Sequence, residues 1–298
     1  MTTPTLHLLA LSDGRLLEVA EVGDPHAPAV VVHNGTPFAL ALLTEHRRDA
    51  LARGLRLITY ARPGYGRSTR DLGRSVASAA SDTAQLADAL AVERFATWGI
   101  SGGGPHALAC GALLGERVVA VASLAGPAPF DAVGLDFLDG MGQDNIDEFS
   151  AAAQGEQAIT AYLEAQASSL RDADVDGLTE AMGSLLSGPD RAVLASDLGR
   201  EITTFMLGGA RDGLHGWIDD DLAFVKPWGF DPVAIQSPLQ IWQGEQDLMV
   251  PLSHGQWLAR HMIDADARLS AQDGHLTLYA DRVADVHAWM AKHLTGRG

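Results

Sequence analysis

Ser101, Asp247 and His275 have the residue types for one chemistry: a serine hydroxyl made nucleophilic by a histidine base, with a carboxylate behind the imidazole to fix its tautomer. The serine lies in Trp98-Gly99-Ile100-Ser101-Gly102-Gly103-Gly104-Pro105, where a strand-like run, Phe95 to Ile100, meets a helix-like run, His106 to Leu114. At so sharp a turn the strand and the helix nearly touch, so the flanking positions must be small, as Gly99 and Gly103 are. Three glycines at a helix start each cost about 1 kcal/mol against alanine. Something other than helix propensity requires the space. In a chain with 32 glycines among 298 residues the G-x-S-x-G spacing is weak by itself. Its surroundings decide.

Asp247 follows the strand-like run Leu239 to Trp242 through Gln243-Gly244-Glu245-Gln246, and His275 follows Ala267 to Ala271 through Gln272-Asp273-Gly274. In an open parallel sheet both positions fall just past the carboxyl ends of strands, where ligands bind. Competing residues are less well placed. His106 and His254 lie on helices and suit structural roles, Glu245 sits nearer its strand than an acid partner should, and Asp273 reads as a turn former. An oxyanion also needs two backbone donors. The Gly102 N–H is one candidate. The other is the Thr36 N–H in His33-Asn34-Gly35-Thr36-Pro37, where Gly35 permits close approach and Pro37 stiffens the exit.

The elements needed to hold these groups are legible. Leu6 to Leu11 and Leu16 to Val22 flank an Asp13-Gly14 hairpin signal, so an antiparallel start is expected. From Ala29-Val30-Val31-Val32, a run apolar on both faces, strand and helix patterns alternate. Leu40 to Arg53 reads as helix, Leu55 to Tyr60 as strand, Ser78 to Ala91 as helix, and Val118 to Ala125 as the strand after the serine helix. That is the pattern of βαβ units winding a parallel sheet. It stops at Gly126-Pro127, and the next hundred residues show only helix-like stretches such as Ala158 to Leu170 and Leu178 to Leu186. The pattern resumes at Leu239, with helices at Leu252 to Met262 and Leu276 to Leu294. Residues 1–126 and 231–298 are therefore expected to form the core, and residues 127–230 a helical insertion.

Composition narrows the partners. A net charge of −17 without a block of Lys or Arg argues against nucleic acid and anionic membranes, leaving a small molecule as the expected substrate. The single cysteine, Cys110, excludes an internal disulfide and suits a small core residue. Met1 to Leu11 lacks the features of a leader, and no segment reaches about 18 uninterrupted apolar residues, so a soluble, cytoplasmic chain is expected. No pattern sets the oligomeric state.

Together these residues resemble the α/β-hydrolase fold superfamily, from the oxyanion loop through Arg62-Pro63-Gly64-Tyr65-Gly66-Arg67-Ser68 and the serine turn to Gly244-Glu245-Gln246-Asp247, Val250-Pro251 and Gly274-His275. The order Ser, Asp, His is that of the superfamily. The tail of the insertion, Gly216-Trp217-Ile218-Asp219-Asp220-Asp221 through Asp231, extends the likeness. The resemblance implies an α/β fold with a mostly parallel eight-stranded sheet flanked by helices, a helical cap inserted after the sixth strand, and no metal or cofactor. It implies a serine hydrolase of the capped esterase and proline-iminopeptidase-like branch: Ser101 as nucleophile, His275 as base, Asp247 as acid, Gly102 and Thr36 as oxyanion hole. A carboxylic ester or lactone is the expected substrate. An N-terminal aminopeptidase and a non-catalytic small-molecule receptor are the alternatives. The cluster Asp219-Asp220-Asp221 could bind a substrate amine, although capping or salt bridging is its commoner role, and Arg62, Arg67, Arg70 and Arg74 could likewise hold a substrate carboxylate, although a solvated loop is the commoner reading. Two positions depart from the family: Asn34 precedes Gly35 where histidine is usual, and Ala61 stands where aspartate is common.

Overall fold

The Asp13-Gly14 turn does fold the chain back on itself. Leu11 N–H donates to Arg15 C=O at 2.8 Å, Gly14 adopts a φ of +87°, and β1 (Thr5–Ala10) pairs antiparallel with β2 (Leu16–Val22). The computed structural model describes residues 3–170, 175–211, 213–262 and 264–296. From β3 (Ala29–His33) the chain runs through α1 (Thr44–Ala52), β4 (Arg56–Tyr60), α2 (Ser78–Ala89), β5 (Phe95–Ile100), α3 (Gly103–Leu113) and β6 (Val118–Leu124). Six helices follow among the described residues: α4 (Gln143–Gln154), α5 (Glu156–Leu170), α6 (Val175–Ala181), α7 (Gly188–Leu194), α8 (Asp197–Arg211) and α9 (His215–Phe224). The sheet closes with β7 (Leu239–Gly244), α10 (Leu252–His261) and β8 (Asp266–Ser270). A last helical run begins as α11 (His275–Thr277), passes through a π-helical stretch at Leu278–Arg282 and ends as α12 (Val283–Thr295).

The eight strands lie in the order β1-β2-β4-β3-β5-β6-β7-β8, with β2 antiparallel to both neighbours and every later pairing parallel. This is an α/β-hydrolase fold with a helical insert between β6 and β7. All five residues of β3 and all six of β5 are buried, as strands covered on both faces must be. Val30, Val32, Ala96 and Trp98 face Ala50 of α1 and Val283, Val286 and Met290 of α12. Val31, Phe95 and Val121 face Leu86 of α2, Leu108 of α3 and Leu258 of α10. Period-two alternation along each strand thus feeds two apolar layers. Among the described residues no helix is long and apolar enough to cross a membrane.

The largest differences from the expected helices are at three places. The helix expected at Leu40 to Arg53 begins only at Thr44, because Ala41, Leu42 and Leu43 are buried from a loop and not from a helical face. The one expected from His106 starts at Gly103, so the glycines lie inside its first turn. A Cβ on Gly104 would stand 2.5 Å from Ser123 Oγ, which explains why packing overrides propensity there. The helix expected at Leu178 to Leu186 ends at Ala181, and Gly188-Pro189, which reads as punctuation, opens α7.

Candidate active site

Ser101 occupies the turn between β5 and α3 with a φ of +55°, a left-handed conformation that costs a residue with a Cβ about 1–2 kcal/mol. The surroundings leave no alternative. A Cβ on Gly99 would stand 2.0 Å from the Gly103 carbonyl oxygen, and one on Gly103 would stand 2.0 Å from that of His33. The turn is pinned by Ser101 N–H to Leu124 C=O at 2.9 Å and by Gly104 N–H to Ser101 C=O at 2.8 Å. The loop after β3 closes over it: Cβ atoms built on Gly35 and Gly102 would lie 3.2 Å from Ser101 Cβ and 2.7 Å from Thr36 Oγ1. Glycine at these positions lets the two candidate donor amides approach one serine.

Asp247 and His275 come together 2.8 Å apart, Oδ2 to Nδ1, with both side chains buried. The other carboxylate oxygen accepts from the Met249 and Val250 N–H groups at 2.8 Å each, and Gln243 Nε2 donates to Oδ2 at 3.2 Å. So held, Asp247 assigns the proton of the neutral ring to Nδ1 and leaves Nε2 to accept. Burial is the largest influence on the imidazole and pulls its pKa down. The charge and hydrogen bond of Asp247, with the charge of Asp190, outweigh it and set the pKa above the ordinary histidine value. His275, Ser101, Gly35 and Thr36 line one cavity.

The α/β-hydrolase fold family matches residues 28–279. The chain belongs to that family. As a member it carries the α/β-hydrolase fold. An uncharacterized hydrolase of Bacillus subtilis, YcgS, is 33% identical over 111 residues, so the match spans about a third of either protein, 36% of each. A thermophilic esterase from Thermogutta terrifontis superposes with a TM-score of 0.68 at 18% identity, over 98% of this chain and 99% of that one. An enol-lactonase from Burkholderia xenovorans LB400 does so at 0.65 and 18%, over 97% and 100%. At those identities the two structures speak for the fold.

In this α/β-hydrolase the candidate oxyanion loop rests on a buried ion network. Arg62 donates to the Asn34 and Gly35 carbonyls and pairs with Asp220 of α9. Asp220 also accepts from Thr36 Oγ1 at 2.7 Å, Tyr65 Oη at 2.9 Å and Arg74 at 2.6 Å. Burial alone would raise the Asp220 pKa, but Arg62 and Arg74 hold it well below the usual carboxylate range. The expected solvated loop is therefore corrected in part: Arg67 is exposed, but Arg62 and Arg74 are buried counter-ions, and Arg70 pairs with Asp219 at 2.8 Å. The Asn34 side-chain amide turns to the Ala41 backbone and Thr59 Oγ1, closing the loop. Removing one partner of a buried pair strands the other charges, so Asp220→Asn should cost about 3–5 kcal/mol. Asp219→Asn, whose partner Arg70 is partly exposed, should cost under about 1 kcal/mol. Denaturant midpoints measure both, and equal losses would show that the network carries no special weight.

Two lobes meet at Ser101. One is apolar, with Phe38, Leu194, Ile202 and Tyr279 beside His275. The other ends among Asp144, Glu148, Tyr162, Trp217 and Asp221. Glu148 is enclosed by the protein yet keeps part of its surface open to the cavity, and Trp217 Nε1 donates to it at 2.7 Å. Asp221 is fully buried, and its Oδ2 lacks any other donor among the described residues. Burial, then the neighbouring Glu148 charge, raises the Asp221 pKa well above the carboxylate range, and burial raises that of Glu148 as well. Asp221 is in the sequence cluster, but its partner is not.

The remaining candidates separate cleanly. His106 is buried 3.7 Å from Asp220, and burial lowers its pKa to about 4. His254 Nδ1 accepts from Ala128 N–H at 3.1 Å, so its Nε2 donates to the Phe137 carbonyl at 3.0 Å, tying β6's exit to the insert. Glu245 is exposed, and Asp273 pairs with Arg282 at 2.8 Å. Cys110 is buried in the core. Among the described residues no group of three His, Cys, Asp or Glu is arranged to hold a metal ion.

Proposed function

We propose that this α/β-hydrolase is a serine hydrolase of small-molecule carboxylic esters or lactones, with residues 127–230 as the cap over its site. The observation that carries the reading is a strained serine sharing a cavity with a histidine whose far nitrogen is 2.8 Å from a buried carboxylate. Ser101 Oγ attacks the substrate carbonyl carbon as its proton passes to His275 Nε2, and the oxyanion accepts from the Gly102 and Thr36 N–H groups. Collapse breaks the acyl–oxygen bond, and the departing alkoxide takes the proton from His275. Water then repeats the sequence on the acyl-enzyme, releasing the acid and restoring Ser101. In a lactone the alkoxide stays tethered to the acyl chain. Esterase and lactonase names among the structural neighbours agree with this class.

The test is a serine-directed phosphonate probe, mapped by mass spectrometry, run beside an ester, lactone and arylamide panel. Ser101 should carry the label and neutral esters or lactones should turn over. Labelled protein that turns over nothing would favour a small-molecule receptor on the same fold.

An amine-bearing substrate is the alternative. Asp219 and Asp220 are neutralised by arginines, but Glu148 and Asp221, both with raised pKa values, lie together inside the polar lobe. An ammonium group there replaces a proton, which favours amine-bearing esters or N-terminal amides over anionic ones. Glu148→Gln combined with Asp221→Asn should lower kcat/KM for an amino ester about tenfold or more and spare its neutral isostere. An unchanged ratio between the two substrates would remove the aminopeptidase-like alternative.

A further inference from the structure

The base is held in place by the insert. The His275 N–H donates to Asp190 Oδ2 at 2.9 Å, while the Leu276 and Thr277 N–H groups donate to Oδ1 at 2.8 and 3.1 Å. Asp190 is fully buried in α7, 85 residues from His275 in sequence, and Ser187 Oγ steadies it at 2.9 Å. The preceding residue makes room. A Cβ on Gly274 would lie 2.4 and 2.6 Å from the two Asp190 oxygens and 2.6 Å from Ser187 Oγ. The core holds the other half of this turn, through Gln246 N–H of the loop after β7 to Asp273 C=O at 3.1 Å and through Arg282, before α12, to the Asp273 carboxylate at 2.8 Å. The core thus fixes the chain up to residue 273, and the insert fixes the residues that carry the imidazole.

We propose that Asp190 is a positioning residue: it sets the backbone of residues 275–277 so that the imidazole reaches both Asp247 and Ser101, and the base is in register only while the insert is seated. This rests on the reading of Ser101 and His275 as nucleophile and base. The Asp247 contact alone ties the ring at one atom, and the ring can pivot about it if the backbone shifts. Misplacement by about 1 Å is enough to cost about 100-fold in rate.

The experiment compares the wild-type chain with Asp190→Ala, Asp190→Asn, Gly274→Ala and the Asp190→Ala/Gly274→Ala pair, each checked for a cooperative thermal melt. Turnover of a neutral ester found active in the panel and phosphonate labelling rate are the readouts. Asp190→Ala should lower kcat about 100-fold with KM nearly unchanged. Asp190→Asn, which keeps one acceptor oxygen and the side-chain volume, should recover part of that loss. In both variants the acid limb of the kcat/KM profile should move to lower pH, since the Asp190 charge is one of the influences holding the His275 pKa up. A residue that merely stabilised the fold would change the yield of folded protein and leave that limb alone. Gly274→Ala should match Asp190→Ala, and the double variant should be no worse than either. Wild-type kcat and pH profile in folded Asp190→Ala or Asp190→Asn, or multiplicative losses in the double variant, overturn the proposal while the hydrolase reading stands. A wild-type chain that neither labels nor turns over overturns both.

Discussion

Ser101→Ala is expected to lower kcat by about 10⁶-fold and to abolish phosphonate labelling, with the melting temperature little changed. The stability half of this expectation comes from the turn itself. Alanine at a φ of +55° bears the same backbone strain as serine and is smaller, and the contacts that force the turn belong to Gly99, Gly103 and the backbone. The activity half follows because Ser101 is the hydroxyl the turn itself brings to the cavity it shares with His275. Groups acting as one unit lose their effect together, so Ser101→Ala/His275→Ala should be no slower than Ser101→Ala alone. Kinetics on the best ester of the panel, with mass mapping, check this. Label retained elsewhere on the Ser101→Ala chain, with turnover intact, would remove Ser101 from the chemistry.

Asp247→Asn should lower kcat/KM by about 10⁴-fold at neutral pH and displace its pH dependence. The sign follows from the balance on His275. A base must be neutral to accept a proton, so wild-type activity should fall as pH drops through a pKa that lies above the ordinary histidine value. Asparagine removes the charge that raises that pKa and weakens the hydrogen bond, leaving burial, which lowers it, opposed by the Asp190 charge alone. The acid limb therefore moves to lower pH while the plateau falls. The asparagine amide also presents an N–H where Nδ1–H needs an acceptor, or turns its oxygen inward and loses the Met249 and Val250 amides. A profile displaced to higher pH, or a plateau within tenfold of wild type, would contradict the role assigned to Asp247.

The sequence discloses those parts of the molecule whose signals are local. Gly99 and Gly103 mark the turn because only a missing Cβ fits there, and the run Ala29 to Val32 marks a doubly covered strand. Asp247 and His275 can be placed because each follows a strand by a few residues. The insert is less legible for a physical reason: its roles are long-range and directed at backbone. Asp190 takes three peptide N–H groups, which leave no side-chain signature at residues 275–277. Glu148 is recognisable only beside Asp221, which lies 73 positions later on another helix. Leu40 to Leu43 read as helix because a loop pressed into the core carries apolar residues as densely as a helix face does.

The carboxylate that α9 lends to Arg62 and Arg74 bears on how this pocket can change. Recombination that swaps the whole insert for a foreign one would alter the pocket walls and also withdraw the counter-ion beneath the Thr36 loop. Chimeras should therefore survive only when they bring their own acid to position 220 or lose both arginines. Drift toward new substrates is easier through point changes on the lobe-facing surfaces of α4, α5 and α8, which leave that buried anchor untouched.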